Sequence, residues 1–182
     1  MKIVPCAFQL PNGEMLTVRS LCAEDAEALE VFRCATYSET HFMARYPEEG
    51  ANLETVQTGL AACEKSPVNF EVGAFAGEKL VGEFGVTQVR PHIKYRHRAV
   101  MGISVLKEAW GCGLGSFLMQ LAVAQAKKAN GFEQLELGVY SDNARAIHLY
   151  EKFGFERCGT MPHAFKLKDG TYRDEIMMVK ML

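Results

Sequence analysis

Three glycines, at positions 111, 113 and 115, stand between an alternating apolar segment and an amphipathic one, in the run Gly111-Cys112-Gly113-Leu114-Gly115. Glycine reaches positive φ at little steric cost and lets a ligand come close to the backbone. The first turn of a helix leaves several N–H groups unpaired. Together with the helix dipole they favour an anion such as a diphosphate. Cys112, Leu114 and Ser116 bring no charge, so the backbone must do the binding. A P-loop would carry Lys and then Ser or Thr after its last glycine. Here Gly115 is followed by Ser116 and Phe117. A dinucleotide turn spaces its glycines G-x-G-x-x-G and follows an early strand. This one reads G-x-G-x-G and lies past residue 110. Taken alone, the triplet also fits a tight strand-to-helix connection with no ligand.

The elements that must hold this turn are legible from periodicity. Leu114, Phe117, Leu118, Leu121 and Ala122 follow the i, i+3, i+4, i+7, i+8 rule of an amphipathic helix running to about Ala129. Ala99 to Val105 reads as the preceding strand, in which Gly102 hints at a bulge or a close backbone approach. Leu135, Leu137 and Val139 alternate as a further strand. Asn143 to Phe153 is helical, with Asp142 or Asn143 as its cap and Gly154 at its stop. Upstream, Met15 to Arg19 is a first strand, Ala26 to Arg33 opens a helix, and Asn52 starts a second. Phe70 to Phe75 and Lys79 to Gln88 form a hairpin across Ala76-Gly77-Glu78. Two last strands, about Phe155 to Leu167 and Thr171 to Met181, flank Lys168-Asp169-Gly170. The fold class is α/β.

With these elements placed, the chain resembles the GNAT superfamily of N-acetyltransferases. Ile103-Ser104-Val105 and Trp110 to Gly115 look like the pattern V-x-x-x-x-R-G-x-G-x-G. Asn143 to Phe155 looks like N-x-x-A-x-x-L-Y-x-x-x-G-F, and Asp169 to Met178 is similar to tails common in the superfamily. One departure stands out: Trp110 occupies the place where the pattern usually has Arg or Gln. That moves the expected phosphate contacts from side chain to backbone.

The resemblance implies a GNAT-like mixed, mostly antiparallel central sheet of about six to seven strands flanked by about four helices. It implies acetyl-CoA as co-substrate, with its arm along Ile103, Ser104 and Val105 and its diphosphate on Gly111, Cys112, Gly113, Leu114, Gly115 and Ser116. Asn143 would lie beside the arm, a role compatible with capping. Tyr150 would protonate the leaving thiolate, since a phenol of pKa about 10 can serve a thiolate whose acid form is nearer about 8.5. The competing reading of Tyr150 is a core tyrosine with a hydrogen-bonded hydroxyl. Glu83, in Val81-Gly82-Glu83-Phe84-Gly85, could deprotonate the incoming ammonium through water, or it could be a solvated strand residue. His97 titrates in the useful range but sits between Arg96 and Arg98, a basic surface patch. Glu39, His41 and Tyr46 fall in the segment where the superfamily usually builds its acceptor pocket. The expected reaction is direct transfer of an acetyl group to a primary amine of a small molecule or protein, the acceptor partner being a small-molecule or peptide amine. An acyl-CoA sensor without turnover is the alternative. The resemblance is compatible with a homodimer, which no residue pattern reports.

Composition sets outer bounds. The 182 residues suit one domain, 1–182, and 48% hydrophobic content suffices for a core. A net charge of −2 gives no reason to expect nucleic acid as a partner. No apolar run approaches the roughly 18 residues of a membrane span. Pro5, Gln9 and Pro11 break any signal-peptide core, so a cytoplasmic protein is expected. Six scattered cysteines lack C-x-x-C spacing, which argues for reduced thiols and no metal site.

Overall fold

The computed structural model describes residues 1–129 and 131–182. Its elements run β1 (Cys6–Gln9), β2 (Met15–Ser20), α1 (Ala26–Glu39), α2 (Leu53–Lys65), β3 (Phe70–Ala76), β4 (Lys79–Gln88), β5 (Arg98–Val105), α3 (Leu114–Lys128), β6 (Gln134–Tyr140), α4 (Ala144–Lys152), β7 (Glu156–Lys166) and β8 (Tyr172–Met181). The strands form one eight-stranded sheet in the order β1-β2-β3-β4-β5-β6-β8-β7. All neighbours are antiparallel except β5 and β6.

The strand count exceeds the expected six to seven because β1 precedes the first expected strand. Pro11 and Gly13 do not end the chain's regular structure there. They shape a turn in which Gly13 adopts φ 90° and Leu10 N–H bonds Glu14 O at 2.8 Å. Cys6–Gln9 then pairs with Met15–Val18. The four helices match expectation closely. Asn52 caps α2 by accepting from Glu54 N–H at 2.8 Å, and Asn143 caps α4 by accepting from Ala146 N–H at 3.1 Å.

Successive residues of a strand point to opposite faces, and β4 uses both. A Cβ on Gly82 would meet Leu118 and Leu114 of α3 at 3.1 and 3.4 Å. Its neighbour Glu83 meets Arg33 of α1. So α1 and α3 cover opposite faces of the central strands, which explains why β3 and β4 are buried almost throughout. Leu114, Leu118, Met119, Ala122 and Ala126 supply the buried stripe of α3.

A bulge or a close backbone approach was expected at Gly102. The structure places the bulge instead in β4, where Ala74 pairs with Gly82 and Phe75 with Leu80, leaving Val81 extra. Gly102 pairs regularly with Gly85, and a Cβ there would meet nothing within 4 Å.

Candidate active site

The parallel pairing of β5 with β6 is short. It joins Arg98 to Gln134, Ala99 to Leu135 and Val100 to Glu136, then stops. Beyond that point β5 stays with β4 as far as Val105, and β6 stays with β8 as far as Tyr140. The two strands therefore part. Among the described residues, the edge of β5 beyond Val100 keeps backbone groups with no ladder partner on its β6 side, and such groups seek a hydrogen-bonding ligand or water.

A cavity of about 1030 Å³ fills this parting, near the upper end of the roughly 300–1,000 Å³ usual for small-molecule sites. Of the residues singled out from sequence, Glu83, Ile103, Ser104, Val105, Gly111, Gly113, Gly115, Ser116, Asn143 and Tyr150 all line it. Cys112 and Leu114 do not. The Leu114 side chain is fully buried in the core, and the Cys112 thiol donates to Ala109 O at 2.9 Å. Only the backbone of these two can serve a ligand.

The glycine turn has the geometry its residues foretold. Gly111 and Gly113 adopt φ 78° and 88°, and Gly113 is the cap of α3. The first helical bond runs from Phe117 N–H to Gly113 O at 3.0 Å. Among the described residues, the amides from Gly111 to Ser116 donate to no protein acceptor. A Cβ on Gly111 would meet nothing within 4 Å, so the space over the turn is open. Unpaired amides, open space and a helix N-terminus together fit a diphosphate.

On the α1 side of the parting, Glu83 is only 8% exposed, so it is not the solvated strand residue of the alternative reading. Its carboxylate accepts from Arg33 Nε and NH2, both at 3.3 Å, and from Ser104 Oγ at 3.2 Å. The same guanidinium donates to Glu71 Oε1 at 2.5 Å. Burial and the negative charge of Glu83 push the Glu71 carboxyl above its ordinary range, against the pull of Arg33. Arg33 and Glu71 were not identified as site residues from sequence. The available signal was a charge on the buried stripe of α1, one turn after Leu29, and a carboxylate inside the apolar strand β3.

On the α4 side, Tyr150 is 7% exposed. Among the described residues no protein group hydrogen-bonds its hydroxyl, and the oxygen is not sealed from the cavity. A tyrosine kept only for packing would find a partner. Burial pushes its pKa up to about 12. The Asn143 carbonyl is used by the α4 cap, which leaves the amide nitrogen for a ligand.

The segment after α1 is held from several directions. Glu39 accepts from Lys107 N–H at 2.8 Å, His41 Nε2 lies 3.0 Å from Asp142, and the Tyr46 hydroxyl accepts from Lys168 N–H at 3.0 Å. Asp142 also binds Arg173 at 2.9 Å. Glu39 lines the cavity, while His41 and Tyr46 border an adjoining depression. His97 is outside the cavity lining, and its carbonyl accepts from Glu133 and Gln134 N–H. Its neighbour Arg98 is paired with Glu136.

Trp110 is turned inward from the glycine turn. Its indole N–H donates to Val105 O at 2.7 Å, and the Arg145 guanidinium sits 4.5 Å from its ring centroid.

Comparison with known proteins agrees with this geometry. Residues 28–155 match the family model described as acetyltransferase (GNAT) family. The uncharacterized N-acetyltransferase YoaA of Bacillus subtilis (strain 168) is 24% identical over 175 residues, covering 92% of this chain and 93% of that protein. The solved acetyltransferase of the GNAT family from Streptococcus pneumoniae superposes with a TM-score of 0.87 at 27% identity, over 92% of this chain and 99% of that one. The structure of yncA from Salmonella typhimurium with its cofactor acetyl-CoA superposes with a TM-score of 0.79 at 19% identity, over 92% and 94%. With a match across most of its length and the site geometry in place, the chain belongs to the GNAT family of acetyltransferases.

Proposed function

We propose that the chain transfers the acetyl group of acetyl-CoA directly to a primary amine of a small molecule or peptide. One observation carries the reading. The cavity runs from the open glycine turn, through the parting of β5 and β6, to Glu83 on one side and to the free Tyr150 hydroxyl on the other.

Bound acetyl-CoA supplies an acyl thioester, whose carbonyl an amine can attack. The amides of residues 111–116 hold its diphosphate, and on the strand Ile103 to Val105 the outward-facing backbone of Ile103 and the Val105 N–H hydrogen-bond its arm, the Ser104 backbone being turned to β4 and Val105 O held by Trp110. Asn143 offers its amide nitrogen beside the arm. Glu83 takes a proton from the incoming ammonium through water, leaving the amine free to attack. Arg33 and Ser104 fix its carboxylate and still leave it lone pairs. The Tyr150 hydroxyl hydrogen-bonds and protonates the departing sulfur. Its burial matters here, because the same desolvation that raises the phenol also makes an uncompensated thiolate costly.

The acceptor enters on the α1 side. There the ionic floor of Arg33, Glu71 and Glu83 is walled by Phe42, Tyr140 and Phe165, with Tyr140 and Phe165 stacked at 3.8 Å between centroids. This combination suits an amine carried on an apolar body. Six free cysteines suit a reducing compartment, and a cytoplasmic location belongs to the same proposal. Among the described residues no helix is long and apolar enough to cross a membrane.

Thiol release measured across polyamines, amino acids, aminoglycosides and peptides tests the reading. Turnover of at least one amine is expected. Tight acetyl-CoA binding with no turnover of any amine would make the chain a sensor.

A further inference from the structure

The side chains of the glycine turn bring no cation to a ligand that carries several negative charges. Trp110 stands at the position where the family pattern usually has Arg or Gln. Backbone amides can hold a diphosphate, but charge-assisted hydrogen bonds from a guanidinium are roughly twice as strong as neutral ones and are often bidentate. A replacement is offered by another element. Arg145, on the first turn of α4, lies over the Trp110 ring at 4.5 Å.

Several observations make this pairing more than a surface contact. The indole N–H is committed to Val105 O at 2.7 Å, at the end of the strand that flanks the parting, so the ring orientation is fixed. A fixed ring face orients a guanidinium without consuming its N–H donors. Among the described residues Arg145 forms no ion pair, whereas Glu108 and Glu151 are paired with Lys79 and Arg157. Arg145, Trp110, Gly111 and Gly113 all line the same cavity. The Arg145 donors therefore remain free beside the open amides of the turn.

We propose that Arg145, seated on the Trp110 ring, binds the diphosphate of the CoA arm. It supplies from α4 the charge that position 110 lacks, and Trp110 acts as its positioning residue. This rests on the reading that acetyl-CoA occupies the turn.

The test measures binding of CoA, dephospho-CoA and pantetheine by calorimetry, and for chains that keep Trp110 also by fluorescence. Trp110 is the single tryptophan of the chain, so its emission reports directly on the site. The Arg145 side chain is exposed, and R145Q leaves the core intact. R145Q is expected to weaken CoA and dephospho-CoA equally, by about tenfold to a hundredfold, the range of a charged hydrogen bond, and to leave pantetheine unchanged. R145K should recover part of the loss. Trp110→Leu should weaken CoA less than R145Q does, and the double variant should be no weaker than R145Q alone, because the ring acts only through the guanidinium. Equal CoA affinity in R145Q and the parent chain overturns the proposal. So does a loss confined to CoA, which would assign Arg145 to the 3′-phosphate, and so does full additivity of the two substitutions. Failure of the parent chain to bind CoA at all would instead sink the cofactor reading beneath it.

Discussion

Arg33 reaches from α1 to both carboxylate oxygens of Glu83 at 3.3 Å while also binding Glu71 at 2.5 Å. One guanidinium thus faces two carboxylates at the floor of the proposed acceptor side. Burial first, and after it the negative charge of Glu83, raise the Glu71 carboxyl, because two negative charges against one positive leave a further proton welcome. The arrangement ties the proposed base to a neighbour that senses its charge.

Replacing Glu83 by Gln should lower kcat/KM by about 10²–10⁴-fold, the usual contribution of a positioned base. It also removes the charge that repels Glu71, so the Glu71 carboxyl should fall back toward its ordinary value. Activity rising with pH reports carboxylate ionisation, and any limb owed to Glu71 should move to lower pH in this variant. A pH–rate profile and kcat/KM identical to those of the parent chain would remove Glu83 from the mechanism.

Tyr150→Phe removes a hydroxyl that, among the described residues, no protein group hydrogen-bonds, so the fold should keep its melting temperature. Turnover should fall far more than acetyl-CoA affinity. With the phenol pushed up to about 12, the parent enzyme should show no loss of activity near pH 10 from this group. Stopped-flow turnover beside equilibrium binding separates the two effects, and an unchanged kcat would exclude Tyr150 as the acid.

The glycines of the turn should divide. Gly113→Ala forces φ 88° on a residue with a Cβ and should cost about 1–2 kcal/mol, read as a lower denaturation midpoint. Gly115 has no positive φ, and a Cβ there would meet Leu149 at an ordinary 3.6 Å. Gly115→Ala should therefore keep the parent stability. Equal destabilisation by both would contradict this division.

Asp25, at the start of α1, accepts from Arg19 at 2.6 and 2.7 Å and from Cys22 N–H at 2.9 Å. Burial pushes its carboxyl up, but these bonds outweigh it and hold it down at about 2, below the usual 3.8. Folding stability from this group is thus fully present above pH 3.8 and is lost as pH falls toward 2. It amounts to about 2 kcal/mol at most. Asp25→Asn should lower the melting temperature at neutral pH, and the gap from the parent chain should close by about pH 2. A gap that persists unchanged in acid would assign the effect to packing.

Much of the frame and half of the site were legible because they are local. Helices α3 and α4 announce themselves by apolar spacing, and Asn52 and Asn143 by capping chemistry, all within a few residues. The turn from Gly111 to Gly115 is local as well, since positive φ at Gly111 and Gly113 and the unpaired amides follow from a strand running straight into a helix. Strand β1 escaped notice because Pro11 and Gly13 break a strand and close a hairpin equally well. Only the pairing of Cys6–Gln9 with β2 tells which.

The rest of the site depended on contacts distant in sequence. Arg33 meets Glu83 across fifty positions, and Arg145 meets Trp110 across an intervening helix and strand. Nothing in the spacing of these residues brings them together. Their meeting follows from α1 and α3 taking opposite faces of β4, and from β5 and β6 parting after Val100. Residue types and periodicity specify which backbone groups stay unpaired and which faces are apolar. Which charges then share a cavity depends on how the apolar faces bury one another, and that is settled only when the whole chain packs.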